Sequence, residues 1–290
     1  MGTIRAVLII ALVVVLYLVL VLPQWWLVRR GSPQATVIPR LFHRAVLWGL
    51  GLKIARRGEP STVRPTLFVS NHVSWIDIMV LGSELEASFV AKHEVDTWPF
   101  FGTLARLQRT VFVERRARKT ADHRDLMVER LASGDSLILF PEGTSSDGLR
   151  ILPFKSAFFS LAERRFDDRP LTLQPVSVAY TELCNLPVGR RWSGLFAWIG
   201  DQDLMPHLWR FLKAGPAVVT VEYHPPVTID GFASRKALAA WVQAVVAQGV
   251  SDAHSGRITP RPAPPPVLVP PPGIPGPENG GEPAGTVAVP

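Results

Sequence analysis

Residues Ala6 to Leu22 form an unbroken apolar run of 17 residues, and no other stretch of the 290-residue chain constrains it as strongly. If Pro23 and Gln24 are tolerated, the run reaches Leu27. As a helix it would be about 26 to 33 Å long, against a hydrocarbon core of about 30 Å. Arg5 flanks one end; Trp25, Trp26, Arg29 and Arg30 flank the other, as at a membrane interface. A cleaved signal peptide is the competing reading, but the run is long for one and no small-residue cleavage site follows it. Residues 1–30 are therefore expected to be a membrane anchor. Arg29, Arg30, Arg40 and Arg44 outnumber Arg5, which predicts an inner (cell) membrane location with the rest of the chain on the cytoplasmic face.

The periodicity from Ile38 to Leu52 predicts an amphipathic helix. Ile38, Leu41, Phe42, Ala45, Trp48, Gly49 and Leu52 share one face, and Arg40, His43 and Arg44 the other. It either lies in the bilayer interface or packs on the globular core, and residues 31–55 are assigned to the interfacial role. At the far end, residues 259–290 form a Pro-rich tail, with 12 of the chain's 27 prolines at positions 260–290. That composition predicts a solvated tail of polyproline II character.

Between these ends, residues 56–258 alternate short β-rich runs with helical patterns. Strands are expected at Thr66–Ser70, Ser88–Ala91, Thr110–Val113, Ser136–Leu139, Leu173–Ala179 and Ala217–Tyr223. Helices are expected at Asp77–Gly82, Trp98–Leu107, Thr120–Ala132, Lys155–Arg165 and Ser234–Gln248. This order predicts an α/β fold with a mixed, largely parallel sheet flanked by helices, and functional loops beyond the carboxyl ends of its strands. The one cysteine, Cys184, excludes an intrachain disulfide and a multi-cysteine metal site. No metal-ligand spacing is present.

Two motifs directly follow predicted strands. In Asn71-His72-Val-Ser-Trp-Ile-Asp77, His and Asp are five apart, a spacing that only His72 among seven histidines shows. On one continuous helix the two would point about 140° apart. With His72 on the turn and Asp77 in the following first turn they can meet. Asp77 would then hold one ring nitrogen and leave the other as a general base. A structural histidine fits the spacing equally. In Phe140-Pro141-Glu142-Gly143-Thr144-Ser145, Pro141 ends the strand, Gly143 permits close backbone approach, and Glu142 could hold a hydroxyl; an ordinary polar turn also fits. A basic stretch, Arg106 to Arg124, carries a local charge of +5 within a chain of net charge +7. It suits a phosphate site, an anionic membrane patch or a solvated face. Nucleic acid is not expected, since no recognition module is present.

Together and in order, these pieces resemble the four blocks of the glycerolipid acyltransferases, most closely the bacterial 1-acylglycerol-3-phosphate acyltransferases. The blocks are Asn71-His72-x4-Asp77, Val111-Phe112-Val113-Glu114-Arg115, Phe140-Pro141-Glu142-Gly143-Thr144 and Leu173-Gln174-Pro175-Val176. Leu152-Pro153-Phe154-Lys155 is similar to the segment following the third block. The resemblance implies that His72 and Asp77 are catalytic, that Arg115 binds the acceptor's phosphate, that Glu142 and Gly143 lie near its glycerol, and that Thr144 and Lys155 belong to the same substrate-binding region. It implies acyl transfer from acyl-CoA or acyl-carrier protein to the sn-2 hydroxyl of 1-acylglycerol-3-phosphate, a lysophospholipid acceptor drawn from the membrane lipids, giving phosphatidic acid. No metal or other cofactor is implied.

The chain departs from the pattern at Ser145, where the family often has a basic residue, and at Ser156-Ala157. The segment Phe196 to Trp209 is similar to proteobacterial members, some of which acylate lyso-ornithine lipid on a fatty-chain hydroxyl. That acceptor is the alternative reading. A catalytically dead, membrane-tethered binding protein is the alternative from another class.

Overall fold

The computed structural model describes residues 2–113, 120–200 and 202–262; Arg115 and most of the Pro-rich tail lie outside the described residues. In chain order the elements are α1 (Gly2–Arg29), α2 (Val37–Gly49), β1 (Leu52–Arg57), β2 (Thr66–Ser70), α3 (Ile76–Glu84), β3 (Ala87–Lys92), α4 (Phe101–Leu107), β4 (Val111–Val113), α5 (Thr120–Ala132) and β5 (Ser136–Leu139). There follow β6 (Arg165–Phe166), β7 (Arg169–Pro170), β8 (Thr172–Leu183), β9 (Leu186–Pro187), α6 (Gly189–Phe196), α7 (Leu204–Lys213), β10 (Ala217–Tyr223) and α8 (Arg235–Ser255).

The main sheet runs β1-β10-β8-β2-β5-β3-β4, with β9 on β8. Strands β8, β2, β5, β3 and β4 are mutually parallel, and β10 turns antiparallel to β8. The central strands are buried on both faces, so their residues are apolar without interruption. Alternate side chains feed two cores: Leu67, Val69, Leu137 and Leu139 point to one side, Phe68 and Ile138 to the other. The first core is capped by α5 and α8. Ser234 accepts from the Ala237 amide to start α8, which buries Leu238, Val242 and Val246. The second is covered by α2, α3 and α7, with α1 laid over them.

The expected anchor, residues 1–30, falls on α1. The helix is long and apolar enough to cross a membrane, but it is docked to the domain from end to end. Arg5 donates to the carbonyls of Leu212, Ala214 and Leu50, at the C-terminal ends of α7 and α2. Ala6 and Ile9 are buried, and the ring of Tyr17 lies 4.9 Å from that of Phe100. Near the other end, Gln24 donates to Ala35 O at 2.8 Å and Leu107 O at 2.7 Å. The opposite face, with Leu8, Val15, Leu18, Val19, Leu22, Trp25 and Trp26, is exposed. Arg29 and Arg30 sit over the rings of Trp25 and Trp26.

The α2 face differs from expectation. Phe42, His43, Val46 and Leu47 are buried, whereas Leu41 and Trp48 are exposed. His43, assigned to the polar face, turns inward. Arg44 bonds Ser83 O and Arg40 pairs with Glu86, so both serve the domain. The helix ends at Gly49, because Gly51 takes a positive φ of 59° and turns the chain into β1. Leu52 therefore opens a strand beside β10 and does not close a helix. The expected helix at Lys155–Arg165 is a 3-10 helix over Ser156–Glu163.

Replacing Arg5 by Met keeps the aliphatic stem and strands three helix-end carbonyls. A loss of about 1–3 kcal/mol is expected, measurable as a lower unfolding midpoint in detergent. An unchanged midpoint would show that α1 is not held at this end.

Candidate active site

Strands β2 and β5 are adjacent and parallel, pairing Leu67 with Leu137 and Val69 with Leu139. Their carboxyl ends therefore deliver the His72 loop and the Glu142 loop to the same edge of the sheet. Asn71 closes the end of β2 onto β8: its side chain accepts from Val178 N at 2.8 Å and donates to Val178 O at 2.9 Å. The chain then turns, and α3 begins at Ile76 with Asp77 in its first turn.

Asp77 has no exposed surface. Its Oδ2 accepts from Val73 N at 2.7 Å and Ser74 N at 2.9 Å, and lies 2.8 Å from His72 Nδ1. Its Oδ1 accepts from the Tyr180 hydroxyl at 2.7 Å. Burial, and then the charge of Asp77, push the Tyr180 phenol well above its usual range, so it stays protonated and donates. With so many donors turned toward it, Asp77 acts as an acceptor, and His72 presents Nδ1–H to it. This leaves Nε2 with its lone pair as the nitrogen available for proton transfer. The imidazole stacks on Phe140, with ring centres 4.2 Å apart and planes at 21°.

Glu142 sits behind this pair. It is 2% exposed. Its Oε1 accepts from His72 N and its Oε2 from Leu152 N, each at 2.8 Å. The residue read from sequence as facing the acceptor's glycerol thus clamps the His72 loop to the 152 segment, and it is not among the residues lining the cavity described below. Burial pushes its carboxyl up to about 7, although the two amides pull the other way. The loops are tied again by Ser146, whose amide and hydroxyl both donate to His72 O.

A cavity of about 810 Å³ opens beside His72. Gly143, Thr144, Ser145 and Lys155 line it, so the structure brings four positions of the third-block region to the same cavity as His72. Gly143 has φ +70°, and a Cβ there would sit 2.6 Å from Lys155 Nζ. The positive φ is what favours glycine here, and the lysine end lies directly over it. Most of the remaining wall is apolar and comes from α1, α2, α3, α4 and β3. Trp75 projects into the same wall and donates to His207 Nδ1 at 3.1 Å. Tyr180 and His207 escaped the reading of the sequence. The signal for Tyr180 was its place on the same face of β8 as Val176 and Val178, beside Asn71.

A family profile described as Acyltransferase matches residues 53–179. A lyso-ornithine lipid O-acyltransferase of Brucella abortus is 41% identical over 264 residues, which cover 90% of this chain and 99% of that protein. The chain belongs to the acyltransferase family. A 1-acyl-sn-glycerol-3-phosphate acyltransferase of Neisseria meningitidis is 37% identical over a shorter stretch of 116 residues, 39% of this chain and 44% of that protein. The crystal structure of the 1-acyl-sn-glycerophosphate acyltransferase PlsC of Thermotoga maritima matches with a TM-score of 0.63 at 21% identity, over 90% of this chain and all of that one, a likeness of fold. This chain is accordingly an acyltransferase of the lysophospholipid type.

Glu142 gives the acyltransferase a definite pH signature. Its carboxyl, ordinarily near 4.5, is raised to about 7 in the fold. The folded state therefore holds this proton after the unfolded state has lost it, and stability falls as pH rises from 4.5 to 7. Unfolding midpoints measured across that window should show this decline, and Glu142→Gln should flatten it. An equal slope in both proteins would show that Glu142 does not titrate there.

Proposed function

We propose that this acyltransferase moves a fatty acyl group from acyl-CoA or acyl-carrier protein to the free hydroxyl of lyso-ornithine lipid at a membrane surface. The observation that carries the choice of acceptor is the extent of likeness: the lyso-ornithine lipid relative is matched along 99% of its length, the glycerophosphate relative along 44%. Ser145 supports it, because an uncharged residue lines the cavity where the family often carries a cation. The 1-acylglycerol-3-phosphate acceptor keeps one argument, the Lys155 ammonium at the cavity wall. Arg115 lies outside the described residues, and its expected role requires an acceptor with a phosphate.

The chemistry follows from the His72–Asp77 pair. Nε2 of His72 takes the proton of the acceptor hydroxyl as its oxygen attacks the thioester carbonyl carbon. The imidazolium so formed is stabilised by Asp77. When the tetrahedral intermediate collapses, the C–S bond breaks and the thiolate takes that proton from His72. The new ester leaves with no acyl-enzyme formed. Glu142 fixes the backbone of His72, while Gly143, Thr144 and Lys155 flank the acceptor.

The exposed apolar face of α1, together with Leu41 and Trp48, is the surface that would enter the lipid. We place it in the inner membrane with the catalytic domain on the cytoplasmic side. Because α1 lies along the domain, this reading is of a helix in one leaflet and not of a span.

His72→Ala is expected to leave no more than about 1% of turnover, since a positioned general base contributes roughly 10²–10⁴-fold. Membranes carrying the enzyme should acylate lyso-ornithine lipid faster than 1-acylglycerol-3-phosphate, read as radiolabelled product from each. The opposite preference would return the acceptor to the glycerophosphate class, and residual activity well above 1% would remove His72 from the mechanism.

A further inference from the structure

The loop that follows β5 separates the cavity beside His72 from a second cleft. Gly143, Thr144 and Ser145 line the first; Asp147, Leu149 and Arg150 line the second, whose volume is about 640 Å³. The two share no lining residue. Between the two sets, Ser146 donates its amide and its hydroxyl to His72 O. A Cβ on Gly148 would sit 2.9 Å from Cγ1 of Val73, the residue after His72. The second cleft therefore begins one layer of backbone away from the His72 turn. Its walls differ in origin as well: α1 to α4 surround the first cavity, and none of them reaches the second.

Arg150 and Arg190 reach this cleft from separate segments, the loop after β5 and the first turn of α6. Among the described residues neither guanidinium has a hydrogen bond or an ion pair. Both side chains are exposed, so a water-soluble group can reach them. Asp147, the one carboxylate on the wall, gives its Oδ1 to the amides of Leu149 and Arg150, each at 2.9 Å. That turn holds the backbone of Arg150 in place. His254, also on the wall, donates from Nε2 to Gly148 O at 2.9 Å and ties the loop to α8. Two unpaired cations on one concave wall repel each other until an anion joins them. The guanidinium fork matches the oxygens of a phosphate.

The position of the cleft selects the phosphate. In the acyl-transfer reading above, on which this inference rests, the thioester carbonyl lies at His72 Nε2 and its acyl chain takes the apolar cavity. The rest of the donor is a polar arm. In acyl-CoA and in acyl-carrier protein alike this is phosphopantetheine, which ends in a phosphate. Lys92 and Lys155 line the first cavity, but the acceptor's polar head also has to reach His72 there. The cleft across the loop gives the donor's phosphate a separate, wetter place. We propose that Arg150 and Arg190 bind the phosphate of the donor's phosphopantetheine arm, so that the loop after β5 divides the lipid side of the site from the carrier side.

The test uses the full-length enzyme in membranes, with lyso-ornithine lipid and 1-acylglycerol-3-phosphate each offered as acceptor. One acyl chain is presented on four carriers: pantetheine, phosphopantetheine, CoA and acyl-carrier protein. In the unaltered enzyme, kcat/KM should be about tenfold higher with acyl-phosphopantetheine than with acyl-pantetheine, the scale of charge-assisted hydrogen bonds. Taken within each protein, that ratio should fall to about one when Arg150→Gln and Arg190→Gln are combined. The ratios for acyl-CoA and acyl-carrier protein over acyl-pantetheine should both fall with it. No phosphate advantage in the unaltered enzyme would overturn the proposal. So would an advantage that survives the double substitution, whether all donors lose equally or the acceptor's KM rises instead. A fall confined to acyl-CoA would assign the arginines to its nucleotide phosphates and overturn it too. Failure to acylate either acceptor from any donor would instead count against the acyl-transfer reading itself.

Discussion

A carboxylate with no exposed surface holds this active site together. Removing an ion such as Asp77 from water costs several kcal/mol unless donors replace the water. Here the donors are the His72 ring, two backbone amides and a tyrosine hydroxyl. The amides force the 72–77 turn to fold back over the start of α3. The tyrosine comes from β8, so the site also depends on β8 lying beside β2. A slip of one residue in that register would turn Tyr180 to the other face and leave Oδ1 without its donor. The paired bonds of Asn71 with the Val178 backbone pin that register at the point where it matters.

The second dependence is on the N-terminal helices. Tyr17, Leu20 and Gln24 of α1 and Ile38 and Phe42 of α2 are walls of the cavity. The apolar N-terminus thus walls the cavity beside His72 as well as presenting an exposed apolar face. This explains polar side chains in otherwise apolar helices. Arg5 and Gln24 face inward and satisfy carbonyls at the ends of neighbouring elements, which a helix surrounded by lipid could not do.

Much of this was legible in the sequence, and the failures share a cause. Strands buried on both faces are apolar runs, and Thr66–Ser70, Ser136–Leu139 and Ala217–Tyr223 were readable to the residue. The meeting of His72 and Asp77 followed from a turn placed directly after a strand. What stayed hidden were positions where a residue's type and its place disagree. Lys53, Arg56 and Arg57 disguise β1, an edge strand whose charges reach water. His43 reads as polar surface on α2 but fills the space left by Gly82. Glu142 reads as a loop carboxylate, and the two amides that its oxygens accept come from segments distant in sequence. Such conflicts resolve only when the packing partner is known.

The nature of the cavity wall bears on which hydroxyl reacts. His72 is 19% exposed at its side chain, and its ring lies on Phe140 at the edge of a largely apolar chamber. A base placed in bulk water would deliver water to a thioester as readily as any alcohol, and the outcome would be hydrolysis. Apolar walls lower the local concentration of water and favour acceptors that bring their own hydrocarbon. In the proposed reaction a lysolipid would do this: its chain would occupy the wall that water would otherwise wet, and its hydroxyl would arrive at Nε2 already desolvated. On that proposal, selectivity for lipid alcohol over water would be a property of α1, α2 and α4 as much as of the histidine, and it would link the apolar N-terminus to the chemistry.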